Sequence, residues 1–460
     1  MKFSKYFLVL MLAMLLTFSC QTKINDTDDT IHYDEITDIH YDAHIQPLLD
    51  EYTTRLQNES LYPEGLETDS WQHLFEGWKN GAAVIPYDAQ GSLFYQLIGM
   101  LKDTTEGDAA RRDLIRRWIE AGAPNEQGVI PFDDATDIVY VCNQGASSVS
   151  LVDVNHLVVM RTLYLEDYGF SDHAKPHHIV VEPDGTAWYV SLIADGKVVK
   201  FDSRNRIVGS VDTPTPGLMT LHPTRRILYA GRSMTAPNPP SSVLAINTSD
   251  MTYREIPVPY ARPHALAIQP NRDYLISASL VENKFAVIDA QRDELDATYT
   301  FPDTNPVYVQ CVFVPDGTSF FATGQLSATL YRFAMDSEGV VSADGSYALG
   351  EQPWHPVIIP DGTQLFVGNK VSNSVSVFDI IGNQVSATLQ GNGVASPHGS
   401  TVTSDGKYVF ISNQNTNGDY QPPFRDDAAS VGTITVFDAT THALVKTIEV
   451  GTSPSGIAHK

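Results

Sequence analysis

The chain has 460 residues, ample for two domains with their own cores, and 55 acidic against 30 basic residues leave a formal charge of −25. That charge argues against nucleic acid and anionic lipid headgroups as partners. Of the three cysteines, Cys142 and Cys311 sit inside apolar strand patterns and read as buried small hydrophobes rather than as a disulfide.

Residues 1–19 read as a leader. Lys2 and Lys5 give the charged end, 6–18 the apolar run, and Ser19-Cys20 follows. The run is short for a membrane span. With Leu16 and Ser19 upstream, Cys20 resembles the lipidated cysteine of a bacterial lipobox. The resemblance implies a membrane anchor at Cys20; an ordinary signal peptide with an incidental cysteine is the alternative. Residues 20–37 then form a flexible acidic tether. Gln21 behind the anchor points to the outer membrane of a bacterial envelope, on its periplasmic side or at the surface.

Between 38 and 128 the apolar period becomes helical. Helices are expected over 43–56, over 71–78 capped by Asp69, from Ser92 to 101, and over 109–121. Leu114, Ile115, Trp118 and Ile119 share one face of the last, which Gly122 and Pro124 stop. HIQPLLDEYTTRLQ (44–57), DSWQHLFEGWKNGAAVIP from Asp69, GSLFYQLI from Gly91 and RRWIEAGAP from Arg116 together resemble a planctomycete-type cytochrome c domain. Its haem motif is absent. Thr53, Leu56 and Gln57 stand where the resemblance places two thioether cysteines and an axial histidine, so covalent haem has no chemical route. A haem-less helical unit with Leu56 or Tyr52 filling the vacated slot is expected.

From 137 to 460 one phrase recurs seven times: an apolar strand, a turn, a strand ending near aspartate, and a strand running into proline. The plainest copy is LFVGNKVSNSVSVFD (365–379). Prolines 176, 216, 263, 306, 353, 397 and 454 open the innermost strands at intervals of 40 to 57 residues. Four short strands per unit at this period specify a β-propeller, here of seven blades. Asp184-Gly185, Asp316-Gly317, Asp361-Gly362 and Asp405-Gly406 supply hairpin turns. The region opens on three strands (Ile138–Asn143, Ser148–Asp153 and 158–165) and closes on a lone inner strand, 456–459. Pairing these completes the seventh blade and removes the open edge. VYVCNQGASSVSLVD, with Cys142 for the usual Thr or Ala, resembles the YVTN family of seven-bladed propellers over about 137–460. The fold class expected is therefore mainly β, a seven-bladed propeller preceded by a small all-α cytochrome c-like domain.

Loops running into the inner strands gather at one end of a propeller's channel. Aligning those strands puts His177, His264, Trp354 and His398 at one level and His178 and His355 at the next, with His173 nearby. His177, His264, His355 and His398 form a candidate site for copper or another transition metal, since imidazoles from separate strands make a rigid donor set. Nitrous oxide reductase and the haem-bearing nitrite reductases hold metals at this end of a propeller. Structural or ligand-lining histidines are the other reading. Asp153, Asp202, Asp289, Asp379 and Asp438 recur as turn caps. The insertion 415–430 is a long exposed loop, either a binding element or a solvated excursion.

No G-x-S-x-G, H-E-x-x-H, phosphate loop or C-x-x-C occurs. The leading expectation is a lipid-anchored extracytoplasmic binding or scaffold protein that recognises a protein or small molecule on its propeller face. The alternatives are a copper or iron redox enzyme using the histidine set, and a sugar-lactone hydrolase like the seven-bladed 6-phosphogluconolactonases.

Overall fold

A computed structural model describes residues 32–102, 107–233, 238, 240–301, 307–425 and 430–460. Residues 1–31, which take in the expected leader, Cys20 and most of the expected tether, lie outside the described residues. Among those described, no helix is long and apolar enough to cross a membrane.

Seven four-stranded antiparallel sheets form a seven-bladed propeller. Six blades are continuous in sequence. The seventh pairs the C-terminal strand Pro454–His459 with Ile138–Asn143, aligning Val139 with His459 and Val141 with Ile457. The ring therefore shuts through chain ends more than 300 residues apart, as the strand count required.

The recurring phrase has a side-chain logic. Asn143 ends the second strand of its blade, fully buried, and its amide donates to Ser148 Oγ (3.1 Å) and Ser150 Oγ (2.8 Å). Asn369 does the same to Ser374 and Ser376 at 3.0 and 2.9 Å. Buried polar groups need such partners. Where Arg232 replaces the asparagine, its guanidinium donates to Ser242 O, Ser242 Oγ and Thr213 Oγ1. The strand-ending aspartates cap turns as expected: Asp202 Oδ1 accepts from Arg204 N and Arg206 N, and Asp438 Oδ1 from Thr440 N and Thr441 N. Gly185, Gly317, Gly362 and Gly406 take φ between 66° and 75° in their turns. Cys142 and Cys311 are buried free thiols.

One inner strand departs from the proline rule. Pro306 lies outside the described residues, and Tyr308 occupies the proline slot, facing Gly324 as Pro353 faces Asn369. The phenol ring fills that position by packing on Phe285, centroids 4.4 Å apart.

Ahead of the propeller, a turn of π-helix at Tyr41–Ile45 leads into α1 (Gln46–Asn58); α2 (Trp71–Glu76), α3 (Leu93–Met100) and α4 (Asp108–Glu120) follow. Leu48, Leu49, Tyr52, Leu56, Phe94, Leu97, Leu114 and Trp118 share one core. Tyr52 and Leu56 are fully buried there, Thr53 bonds Thr68, and Gln57 is exposed. Ser70, not Asp69, caps α2: its Oγ accepts from His73 N, while Asp69 is drawn aside to the His73 ring at 2.7 Å. Ser92 makes no cap bond, because its hydroxyl turns back to Ile85 N and Asp88 O.

The described part of the insertion, residues 415–425, is anchored rather than a free solvated excursion. Tyr420 is 2% exposed, and its hydroxyl accepts from Asn80 Nδ2 and donates to Glu449 Oε1. Phe424 packs against the core of the N-terminal helices and lies 5.6 Å from Trp78. It ties the helical segment to the propeller.

Candidate functional site at the channel mouth

Each inner strand is reached through a non-glycine residue at positive φ: Lys175, Thr215, Arg262, Val307, Gln352, Ser396 and Ser453, between 47° and 55°. L-residues adopt this conformation rarely, so a sevenfold recurrence makes it part of the repeat. Pairing then slips by a residue or more directly after the opening position, as at Pro176/His178, Pro263/Ala265, Pro353/Pro356 and Pro397/Ser400. A bulge breaks the strict alternation of faces. That is how successive residues such as His177 and His178, or Trp354 and His355, both reach the channel.

The structure brings the five predicted imidazoles together. His177 lies 5.9 Å from His264 and 6.1 Å from His398 by ring centroid; His355 lies 5.0 Å from His398 and 6.0 Å from His178. His177 meets rings two blades away on either side because Gly217 and Ser455 stand at the intervening positions. Trp354 stacks on His398 at 4.2 Å. His173 is outside the group, exposed and bonded to Asp172.

Burial sets the charge state. Desolvation, reinforced by neighbouring imidazoles, pushes His177, His355 and His398 well below the ordinary histidine value. His178 is pushed down to about 3 and His264 to about 4, again chiefly by desolvation. All five are neutral at pH 7.

Their hydrogen bonds fix what each ring offers. His264 Nδ1–H donates to Val309 O at 2.9 Å, and His177 Nδ1–H to Gln144 Oε1 at 3.2 Å, so the Nε2 of each carries a lone pair. His178 Nδ1 accepts from Met219 N, which places the proton of the neutral ring on Nε2. His177 Nε2, His355 Nε2, His398 Nδ1 and Trp354 Nε1 are buried without a partner. Unpaired buried polar atoms cost about 1–3 kcal/mol each, and four such atoms among the described residues lie at this mouth.

Carbonyl- or amide-oriented imidazoles with a free Nε2 are what a metal ligand needs. The nitrogens do not converge on one point, however. Among the described residues, the group of three donors lying within 4.8 Å of one another is Glu67, Asp69 and His73, at the surface. A metal shared by three channel rings requires those rings to turn.

Sequence reasoning missed three polar residues at the mouth. The residue after each second strand donates its backbone N–H to the positive-φ carbonyl of the neighbouring inner strand, as Gln144 does to Ser453, Lys370 to Gln352 and Gln414 to Ser396. That placement brings Gln144 to His177. It sets Lys370 Nζ 5.1 Å from the Trp354 ring, donating to Gln414 Oε1 at 2.6 Å. Burial lowers the Lys370 pKa. Aligning the residue after the buried asparagine would have found all three.

No known family profile matches the chain, and no curated protein does. Solved structures match at low identity. The periplasmic gluconolactonase of Pseudomonas aeruginosa is 18% identical, with a TM-score of 0.56 over 70% of this chain and 98% of its own. A Bacteroides fragilis protein provisionally named a 6-phosphogluconolactonase is 15% identical, with a TM-score of 0.54 over 72% and 99%. Kuenenia stuttgartiensis hydrazine synthase is 16% identical, with a TM-score of 0.52 over 65% and 92%. These likenesses show a shared propeller fold.

Proposed function

We propose that this chain is a lipid-anchored envelope protein of the YVTN class, preceded by a cytochrome c-like module that has lost its haem. The propeller binds a small polar ligand at the channel mouth. The observation that carries this reading is the set of four unpartnered buried atoms, His177 Nε2, His355 Nε2, His398 Nδ1 and Trp354 Nε1. They supply acceptors and at least one N–H donor within one desolvated space, where hydrogen bonds to a neutral polar ligand are strong.

Two of the structural neighbours carry lactonase names, which favours a sugar-lactone hydrolase as the second reading. Imidazoles with conjugate-acid values near 3 and 4 are weak general bases, and this weighs toward binding. A transition metal held by His177, His264, His355 and His398 is the third reading, and it requires the ring rotations described above.

The test uses tag-free protein, thermal denaturation and calorimetry, with δ-gluconolactone, gluconate, Zn(II) and Cu(II) as probes, alongside the His355→Ala/His398→Ala double variant. Binding by the wild type that the double variant loses supports the channel site. Hydrolysis of the lactone promotes the second reading, and stoichiometric metal the third. No binding by any probe, or binding that the double variant retains, removes the channel proposal.

A further inference from the structure

The helical segment meets the propeller along two clasps. In one, Glu449 N donates to Asn80 O at 2.9 Å, and Tyr420 OH bridges Asn80 Nδ2 and Glu449 Oε1. In the other, Tyr164 OH donates to Asp88 Oδ2 at 2.9 Å, while Asp88 Oδ1 accepts from Gly91 N. Between them lies a cavity of about 130 Å3, walled by Trp78 and Ile85 on the apolar side and by Asp88, Glu449 and Arg425 on the polar side. Cavities of roughly this size admit molecules of about six non-hydrogen atoms.

Arg425 is the informative wall residue. Its guanidinium makes no hydrogen bond or ion pair with any described residue, and its Nε is sealed from water. Asn143 Oδ1 also faces this region unpartnered, but the equivalent oxygens of Asn369 and Asn413 are unpartnered too, so that feature belongs to the repeat. Arg425 belongs to no repeat. It stands in the one insertion, and neither Asp88 nor Glu449 comes within ion-pair distance although both line the same space. Among the described residues, the half-buried guanidinium has no hydrogen-bond partner and faces Asp88 and Glu449 across the gap, close enough for its charge to be felt by Glu449.

We propose that this junction is a second binding site, for a small carboxylic acid bearing a hydroxyl or ammonium donor, of the size of a short hydroxy acid or amino acid. Arg425 takes the carboxylate with its planar fork. Asp88 Oδ2 and Glu449 take the donor group, and Trp78 and Ile85 flank the carbon chain. Burial raises the Glu449 pKa, which lessens repulsion of the incoming carboxylate. The ligand touches both the helical segment and blades of the ring, so its binding holds the two together.

The test is calorimetry on the full chain with L-serine and lactate, against acetate (no donor) and ethanolamine (no carboxylate). Serine or lactate should bind at least about tenfold more tightly than acetate or ethanolamine, with a matching rise in Tm. Arg425→Gln should reduce that affinity by about tenfold or more while leaving the melting temperature without ligand close to that of the wild type, since Arg425 makes no hydrogen bond with a described residue. Glu449→Gln, nearly the same shape, should reduce discrimination against acetate. The His355→Ala/His398→Ala variant should bind as the wild type does, which separates this site from the channel. The proposal is overturned if neither serine nor lactate binds at 10 mM or below, or if Arg425→Gln binds them with unchanged affinity.

Discussion

Trp354 lies almost flat on His398, ring centroids 4.2 Å apart and planes 26° from parallel, with the Lys370 ammonium 5.1 Å from the indole. The stack holds His398 against His355 and leaves His398 Nδ1 unpaired. Trp354→Ala removes this support and opens space at the mouth. We expect a stability loss of about 2–4 kcal/mol and loss of channel ligand binding. Trp354→Phe should retain most of both. Chemical denaturation with the probes named above reads the two effects together.

Stability should fall with acid in a defined window. The channel histidines have folded pKa values below the unfolded value of 6.5, so the unfolded chain binds more protons as pH drops. Their contribution is fully present above pH 6.5 and is lost progressively below it, down to about pH 4 for His264 and about pH 3 for His178. For His264 alone, the loss between pH 6.5 and 5 is of the order of 1–2 kcal/mol. Urea unfolding at the two pH values should show it, and His264→Gln should flatten the slope. A slope unchanged in that variant would mean the ring is hydrated and titrates normally.

The architecture and the imidazoles were legible because both follow from counting. Blade number, closure by the last strand and the alignment of His177, His264 and His398 depend only on a repeat register that proline and Asp-Gly turns mark in the chain. Tyr308 was not legible as an inner-strand opener, since it replaces a proline with a ring that packs on Phe285 from another blade. Nor was the bond from Lys370 to Gln414, which crosses from one blade to the next. The role of Tyr420 was hidden for the same reason, because its partner Asn80 is 340 residues away. Local pattern carries what each blade does by itself and loses what one blade does to the next.

Glycine at 456 is held by such an approach. A Cβ there would stand 2.5 Å from His177 O and 2.6 Å from His178 Cα, both main-chain atoms of the adjoining inner strand. Gly456→Ala must push that strand outward and move the two histidines with it. We expect a loss of at least about 2 kcal/mol, as for an overpacked core, together with weaker channel binding. Differential scanning calorimetry would detect the first and titration with the channel probes the second.

The seam offers the most severe test of the ring. Pro454–His459 supplies the inner strand of the seventh blade, and His459 also bonds Asp137 beside it. Removing residues 454–460 leaves Ile138–Asn143 with an unpaired edge facing the channel and takes away Ser455, whose hydroxyl bonds the carbonyls of Pro176 and His177. An exposed apolar edge of that length pairs with other chains. The truncated chain should aggregate, or melt at least about 10 °C lower if it stays soluble. His459→Ala keeps every backbone bond of the strand and loses only the contacts of its ring, so it should cost no more than about 1–2 kcal/mol. If truncation and point variant behaved alike in size-exclusion chromatography and thermal melts, strand pairing would not be what closes the disc.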